Sequence, residues 1–461
     1  MPTFYIEQFG CRATQADGAA LQSQLLERGC TQVPDASVAD IAVVNTCTVT
    51  AAADAQARDA IRKLHAANPA VRVVVTGCYA QRAPEELSQL PGVAWVVGNS
   101  HKPQIPELIG ALSGTVFPRH SDGFVAADSL LAQRESLGNP LANILRGDIF
   151  EQNTLLSTPV FADGNHTRPT LKIQDGCDSR CSFCVIPFVR GRSRSLLPEK
   201  ALREIQLLTE QGYREIVLSG INLGTYGRDL SPRVEFDTLL RRILDETSVE
   251  RLRLSSIEPM DVTRDLVELF ASTDRLAQHF HMPLQSGCDR ILAAMHRWYR
   301  AEHYARRVEL IRELLPYAAI GADVIAGFPG ETEAEHAATL AFTQALPFSY
   351  LHVFSYSKRP GTKAATLPNQ VPGAIIKRRA RELRALSWQK AATFRQSQIG
   401  NDLRVLTLHP SENAETAHTP TLSTNYLRIF VDESLPANQW LHVNVRATLG
   451  DGLLGQVLSE S

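Results

Sequence analysis

The 461-residue chain is short of several features that mark other protein classes. No stretch reaches the roughly 18 apolar residues of a membrane-crossing helix. The start, MPTFYIEQFG, has neither a basic leader nor a long apolar run, so no secretory signal is expected. Net charge is only −2, so the whole molecule is no electrostatic adhesive for nucleic acid; any such site must be a local basic patch. A hydrophobic fraction of 44% with 21% charged residues excludes a disordered chain. Without a secretory leader, the eight cysteines do not read as a disulfide frame. Metal binding or catalysis in a reducing cytosol is the better use for them. The expectation is a cytoplasmic protein with no membrane partner. Its length calls for two to four domains.

The cysteines fall into two groups. Cys177, Cys181 and Cys184 lie in the run CDSRCSFC. Three thiolates on one short loop can hold an iron–sulfur cluster by three of its irons and leave one iron open for a ligand that is not protein. A zinc knuckle is the plainer alternative, but it needs a fourth Cys or His nearby, and the following VIPFVRGRSR offers none.

The second group is spread out. Residues 1–100 alternate strand-like and helix-like runs: TFYIEQFG, a helix over 17–28, IAVVNT, a helix over 53–67, VRVVVTG, and a helix from near Pro84. This alternation predicts a parallel sheet with helices on its faces. Cys11, Cys47 and Cys78 each follow a strand, where ligands gather in open α/β sheets. The expectation is that they converge on one sheet edge as a metal site; three buried core thiols are the plain alternative. Cys30 and Cys288 read as ordinary small apolar residues.

Residues 101–168 lose the alternation and read as a linker or irregular insertion. A second alternation starts at Leu171, with strand-like LKIQ, IVLSG, LRLSS, HFHMPL, IGADVIAGF and YLHVFSYS. Six such repeats predict an incomplete parallel (βα)6 barrel, with the CDSRCSFC loop after its first strand. Gly220, Ser256, Glu258, Gln285 and Gly327 sit at or just after barrel strands and are candidates to touch cofactor or substrate. Gly330 and Thr332, in GFPGET, read as a turn and a helix cap. Residues 375–396 read as a basic helix suited to phosphate. Past Gly400, short strands predict a small β-barrel. The expected domains are 1–112, a linker at 113–166, the barrel at 167–385 and the small β-barrel at 386–461.

CDSRCSFC, with Phe183 before the last Cys, resembles the radical S-adenosylmethionine superfamily signature. FGC, NTC and GC at three strand ends, followed by NTCTVTAAAD, LKIQDGC, SSIEP, PLQSG, GFPGET and HVFSYSKRPGTKA, resemble the methylthiotransferases. The C-terminal stretch TLSTNYLRIFV resembles a TRAM RNA-binding barrel. The resemblance implies two [4Fe-4S] clusters, on Cys177, Cys181 and Cys184 and on Cys11, Cys47 and Cys78, with S-adenosylmethionine as methyl donor and radical source. It implies tRNA, an external electron donor and a sulfur source as partners. The branch it resembles adds a methylthio group to C2 of N6-threonylcarbamoyladenosine beside the anticodon. An isopentenyladenosine tRNA or a ribosomal-protein aspartate are the related alternatives. A non-enzymatic iron–sulfur RNA-binding protein, or a second cluster used only for electron transfer, stays open beside them.

Overall fold

The structure is a computed structural model that describes residues 2–112, 142–152, 155, 167–410 and 418–458. The N-terminal sheet contains β1 (Thr3–Gln8), β2 (Thr31–Gln32), β3 (Ile41–Thr46), β4 (Arg72–Gly77), β5 (Val93–Gly98) and β6 (Asn143–Leu145), in the order β2-β1-β3-β4-β5-β6. All its pairings are parallel. IAVVNT is continuously apolar because both faces are covered. Ile41 and Val43 enter one core with Leu21, Leu25 and Ile109. Ala42 and Val44 enter the other with Ala57, Ile61 and Tyr79. The first helices are α1 (Arg12–Glu27), α2 (Ala51–Ala67), α3 (Cys78–Arg82), α4 (Pro84–Ser88) and α5 (Ile105–Leu112).

The helix expected from near Pro84 is present as α4, and the short α3 before it, beginning at Cys78 itself, was not foreseen. One expectation needs correction here. The linker at 113–166 is mostly outside the described residues, but Asn143–Leu145 within it is a sheet strand paired with β5. The N-terminal unit therefore does not end at 112. A three-residue edge strand carries too little periodicity to announce itself in sequence.

The second unit holds β7 (Thr170–Lys172), a hairpin of β8 (Gln174–Asp175) and β9 (Arg194–Ser195), then β10 (Glu215–Ser219), β11 (Arg251–Leu254), β12 (His279–His281), β13 (Ala319–Ala326) and β14 (Tyr350–Ser355). The sheets β11-β10-β7 and β12-β13-β14 are joined by parallel bridges Leu252–Leu276 and Ser256–His281. The result is the expected six-stranded open barrel. Leu171, Ile216, Leu218, Leu252, Leu254 and Phe280 pack outward under the helices. Thr332 caps its helix in a capping box with Glu335, as GFPGET suggested.

The third unit is a closed barrel of β15 (Asp402–Thr407), β16 (Thr419–Ser423), β17 (Arg428–Val431), β18 (Trp440–Leu449) and β19 (Gly452–Val457). The helix Gly373–Gln396 leads to it without a break. The boundary expected at 385 thus falls inside one helix. The expectation that this helix is free for phosphate is corrected in part. Arg379 is buried against Glu331 and Glu333, Arg378 pairs with Glu333 and Glu382, and Lys390 donates to the carbonyls of Gln344 and Leu346. Lys377 and Arg381 stay exposed.

The turn after β16 plugs the open barrel. Tyr426 stacks on His279, with ring centroids 4.3 Å apart and planes 17° apart. Arg253 lies 5.3 Å from the Tyr426 ring and donates to Thr424 and Ser423 carbonyls. Among the described residues, no helix is long and apolar enough to cross a membrane.

Candidate cofactor site

At the carboxyl edge of the N-terminal sheet, Cys11 follows β1, Cys47 follows β3 and Cys78 follows β4. Gly10, at φ +103, turns the chain off β1 so closely that a Cβ there would stand 2.9 Å from Cys47 Sγ. Gly77, at φ +99, does the same against the Thr46 backbone, at 2.3 Å. These two glycines let FGC and GC approach NTC. Cys11 is exposed, while Cys47 and Cys78 are buried. The Cys47 thiol is pushed up to about 12, first by burial and then by the neighbouring Cys78. Asn99 Nδ2 lies 3.6 Å from Cys78 Sγ and Thr14 Oγ1 3.6 Å from Cys11 Sγ.

The other trio follows β8. Gly176, at φ +72, packs so tightly that a Cβ would meet the Arg192 carbonyl oxygen at 1.9 Å. Cys184 Sγ accepts a bond from the Ile186 N–H at 3.4 Å. Its thiol is pushed up to about 12 by burial. Cys181 Sγ accepts from Arg297 Nη1 at 3.3 Å, and the same guanidinium pairs with Glu258. Donors of this kind suit thiolates that hold an iron–sulfur group. Gly176→Ala is expected to cost more than about 1 kcal/mol and to lower iron uptake; thermal unfolding and iron content of the reconstituted protein check it.

A single zinc would draw its sulfurs to about 3.8 Å from one another. Among the described residues, the groups that bring three ligand atoms within 4.8 Å are limited to His281, Asp323 and His352. Neither cysteine trio is among them.

The two trios meet through α6 (Ile186–Arg190). Cys78 packs in one apolar cluster with Val185 and Val189, and Val185 directly follows Cys184. Asn99, beside Cys78, also donates to the Val189 carbonyl at 2.7 Å.

The other expected residues have mixed surroundings. Glu258 reaches the Cys181 loop through Arg297, and burial raises its pKa. Ser256 is bridged to His281, and Gln285, at φ +66, is bridged to Val324. All three line the carboxyl ends of β11 and β12. Phe183 packs against Met295, Ile325, Phe328 and Ala364. Gly220 abuts Gln174, and Gly327 abuts Ile376 with its N–H donated to Glu331. Packing alone accounts for these two glycines. Cys30 lies in the N-terminal core, and Cys288 Sγ is 3.9 Å from Glu335.

Arg297 was not singled out in the sequence, since HRWYRAEH shows no period. Lys172, Arg251 and Arg253 carried a usable signal: cations inside otherwise apolar strands. On the inner face of the open barrel, His281 Nε2 lies 2.9 Å and His352 Nδ1 3.4 Å from Asp323 Oδ1. Tyr350 Oη lies 2.7 Å from His279 Nε2 and 3.0 Å from His281 Nδ1.

An open six-stranded barrel with a three-cysteine loop behind its first strand is the architecture of radical S-adenosylmethionine enzymes. Residues 171–343 match the Radical SAM superfamily, and residues 3–98 match the Uncharacterized protein family UPF0004. A solved radical S-adenosylmethionine methyltransferase, TsrM from Kitasatospora setae, is similar in fold, with a TM-score of 0.55 and 17% identity over 79% of this chain and 74% of that one. The threonylcarbamoyladenosine tRNA methylthiotransferase MtaB of Aquifex aeolicus is 36% identical, over 92% of this chain and 95% of its own. The MtaB of Bacillus subtilis is also 36% identical, over 92% and 88%. The tRNA-2-methylthio-N(6)-dimethylallyladenosine synthase of Moorella thermoacetica is 32% identical, over 94% and 93%. The chain belongs to the radical S-adenosylmethionine tRNA methylthiotransferases, transferases that use S-adenosylmethionine and a [4Fe-4S] cluster.

Proposed function

We propose that this chain adds a methylthio group to C2 of N6-threonylcarbamoyladenosine in tRNA, with one [4Fe-4S] cluster on Cys177, Cys181 and Cys184 and a second on Cys11, Cys47 and Cys78. The observation that carries the reading is the packing of Cys78 on Val185 and Val189, which brings both trios to one junction. An adenine C2–H is not acidic, so no side-chain base serves. The bound clusters and S-adenosylmethionine would supply the radical, the methyl group and the sulfur. The chain's own task is to hold both trios at one cavity, to orient the nucleoside and to exclude water.

Glu258, Ser256 and Gln285 are the candidates to orient S-adenosylmethionine, and Arg297 ties Glu258 to Cys181. Gly220, Gly327 and Phe183 would act by shaping the walls. An electron donor and a sulfur source come from outside the chain. The tRNA would lie along the Gly373–Gln396 helix, where Lys377, Arg381 and Arg384 form one exposed stripe with Trp388, which is 66% exposed. Cations with an aromatic among them suit a phosphate backbone and a stacked base.

Two observations support the threonylcarbamoyl branch. The 36% identical relatives are named for that nucleoside and the 32% identical ones for dimethylallyladenosine. The inner barrel face also carries His281, Asp323, Tyr350 and His352, which suit a substituent with a carboxylate and a hydroxyl better than an isoprenyl chain. Anaerobically reconstituted enzyme with reductant and S-adenosylmethionine is expected to methylthiolate tRNA bearing threonylcarbamoyladenosine, read by nucleoside mass. Product only on isopentenyladenosine tRNA would overturn the branch.

A further inference from the structure

Six buried charged side chains meet where the two trios adjoin. They are Asp17 on α1, Lys102, Lys172 on β7, Asp175 on β8, Arg190 on α6 and Arg194 on β9. They line one small cavity with Asn99 and Gln152. Lys102 Nζ lies 2.9 Å from Asp17 Oδ2, and Lys172 contacts both Asp17 and Asp175. Arg190 spans the pair, with Nη1 2.9 Å from Asp175 Oδ1 and Nη2 3.0 Å from Asp17 Oδ2. Arg194 Nη2 is 3.7 Å from Asp175 Oδ2.

Among the described residues, four cations against two carboxylates leave two positive charges in excess. Excess buried charge is costly unless an anion lies near. The N-terminal trio adjoins these cations: Asn99, which lines the cavity, has its Nδ2 3.6 Å from Cys78 Sγ, and Arg190 Nη2 is 3.4 Å from Thr14 Oγ1, itself 3.6 Å from Cys11 Sγ. The Nε atoms of Arg190 and Arg194 are buried donors with no protein acceptor among the described residues. Three thiolates outweigh the charge of a four-iron core, so the loaded site is net negative, and more so once reduced. The other trio differs, because the guanidinium at Cys181 is already matched by Glu258.

We propose that Lys102 and Arg190 are positioning residues that offset the negative charge of an iron–sulfur group on Cys11, Cys47 and Cys78 and raise its reduction potential. Asp17 and Asp175 set how much positive charge is left for it. This rests on the second-cluster reading above.

The test uses the full chain with Cys177, Cys181 and Cys184 changed to alanine, so that remaining cluster signals come from the N-terminal trio. Iron, sulfide and the midpoint potential are measured anaerobically, by paramagnetic resonance during redox titration. Lys102→Gln is expected to shift the potential negative and Asp17→Asn to shift it positive. Packing alone would not move the two in opposite directions. Loss of iron from Lys102→Gln, with Asp17→Asn keeping it, also supports the inference. Unchanged potentials in both iron-loaded variants would overturn it and leave the second cluster standing. Loss of iron from both variants counts against charge and for packing. A parent chain that takes up no iron would overturn the second cluster itself and this inference with it.

Discussion

Changing Cys11, Cys47 and Cys78 together to alanine should abolish methylthiolated product and leave cleavage of S-adenosylmethionine to 5′-deoxyadenosine in place. Changing Cys177, Cys181 and Cys184 should abolish both. Iron per chain should fall from about eight to about four in either case. The asymmetry follows from placement. The Cys177 loop stands behind the first strand of the open barrel, on the face where barrel enzymes do their chemistry. The N-terminal trio stands on another sheet and meets the segment after that loop where Cys78 packs on Val185 and Val189. Product mass and 5′-deoxyadenosine, measured on the same anaerobic samples, check both halves. A chain without the N-terminal trio that still formed methylthio product would remove that trio from sulfur delivery. Product that merely slowed would instead assign it to electron transfer.

The second large effect is structural. Glu215 is fully buried and pairs with Arg168, Arg251 and Arg253. Arg251 and Arg253 also donate to the carbonyls of Leu422, Ser423 and Thr424, the edge of the C-terminal barrel. One carboxylate thus fixes the guanidiniums that join two units. Glu215→Gln should cost about 3–5 kcal/mol, because it leaves buried cations uncompensated. Denaturant unfolding checks the loss, and limited proteolysis near residue 400 checks the loosened junction. The pH dependence has a definite sign. The three arginines hold the Glu215 carboxyl far below its ordinary value, against burial, which raises it. Its contribution is therefore complete above about pH 4.3, the ordinary carboxylate value, and is lost as pH falls toward the lower folded value. The variant should show a shallower acid limb in stability against pH than the parent.

Much of this protein is local information. The strand and helix runs of 3–77 and 171–357 could be read because alternation and spacing are properties of neighbouring residues. The two cysteine trios could be read because each ends a strand or shares one loop. GFPGET announced its cap for the same reason. Where the local signal was thin, the reading failed: β6 is three residues long, and the hairpin of β8 and β9 has two residues on each side.

The sequence by itself determined the alternation of the main elements and the places of the two cysteine trios in it. Tertiary structure alone decided that the trios adjoin and which charges are spent inside. Asp17 and Lys172 are 155 positions apart, and Asp54 and Arg359 are 305 apart, yet each pair is buried in contact. An arginine reads the same in sequence whether it is solvated, as Arg381 is, or buried in an ion pair, as Arg379 is. Burial depends on which distant surfaces the folded chain brings together, and no window of neighbouring residues contains that.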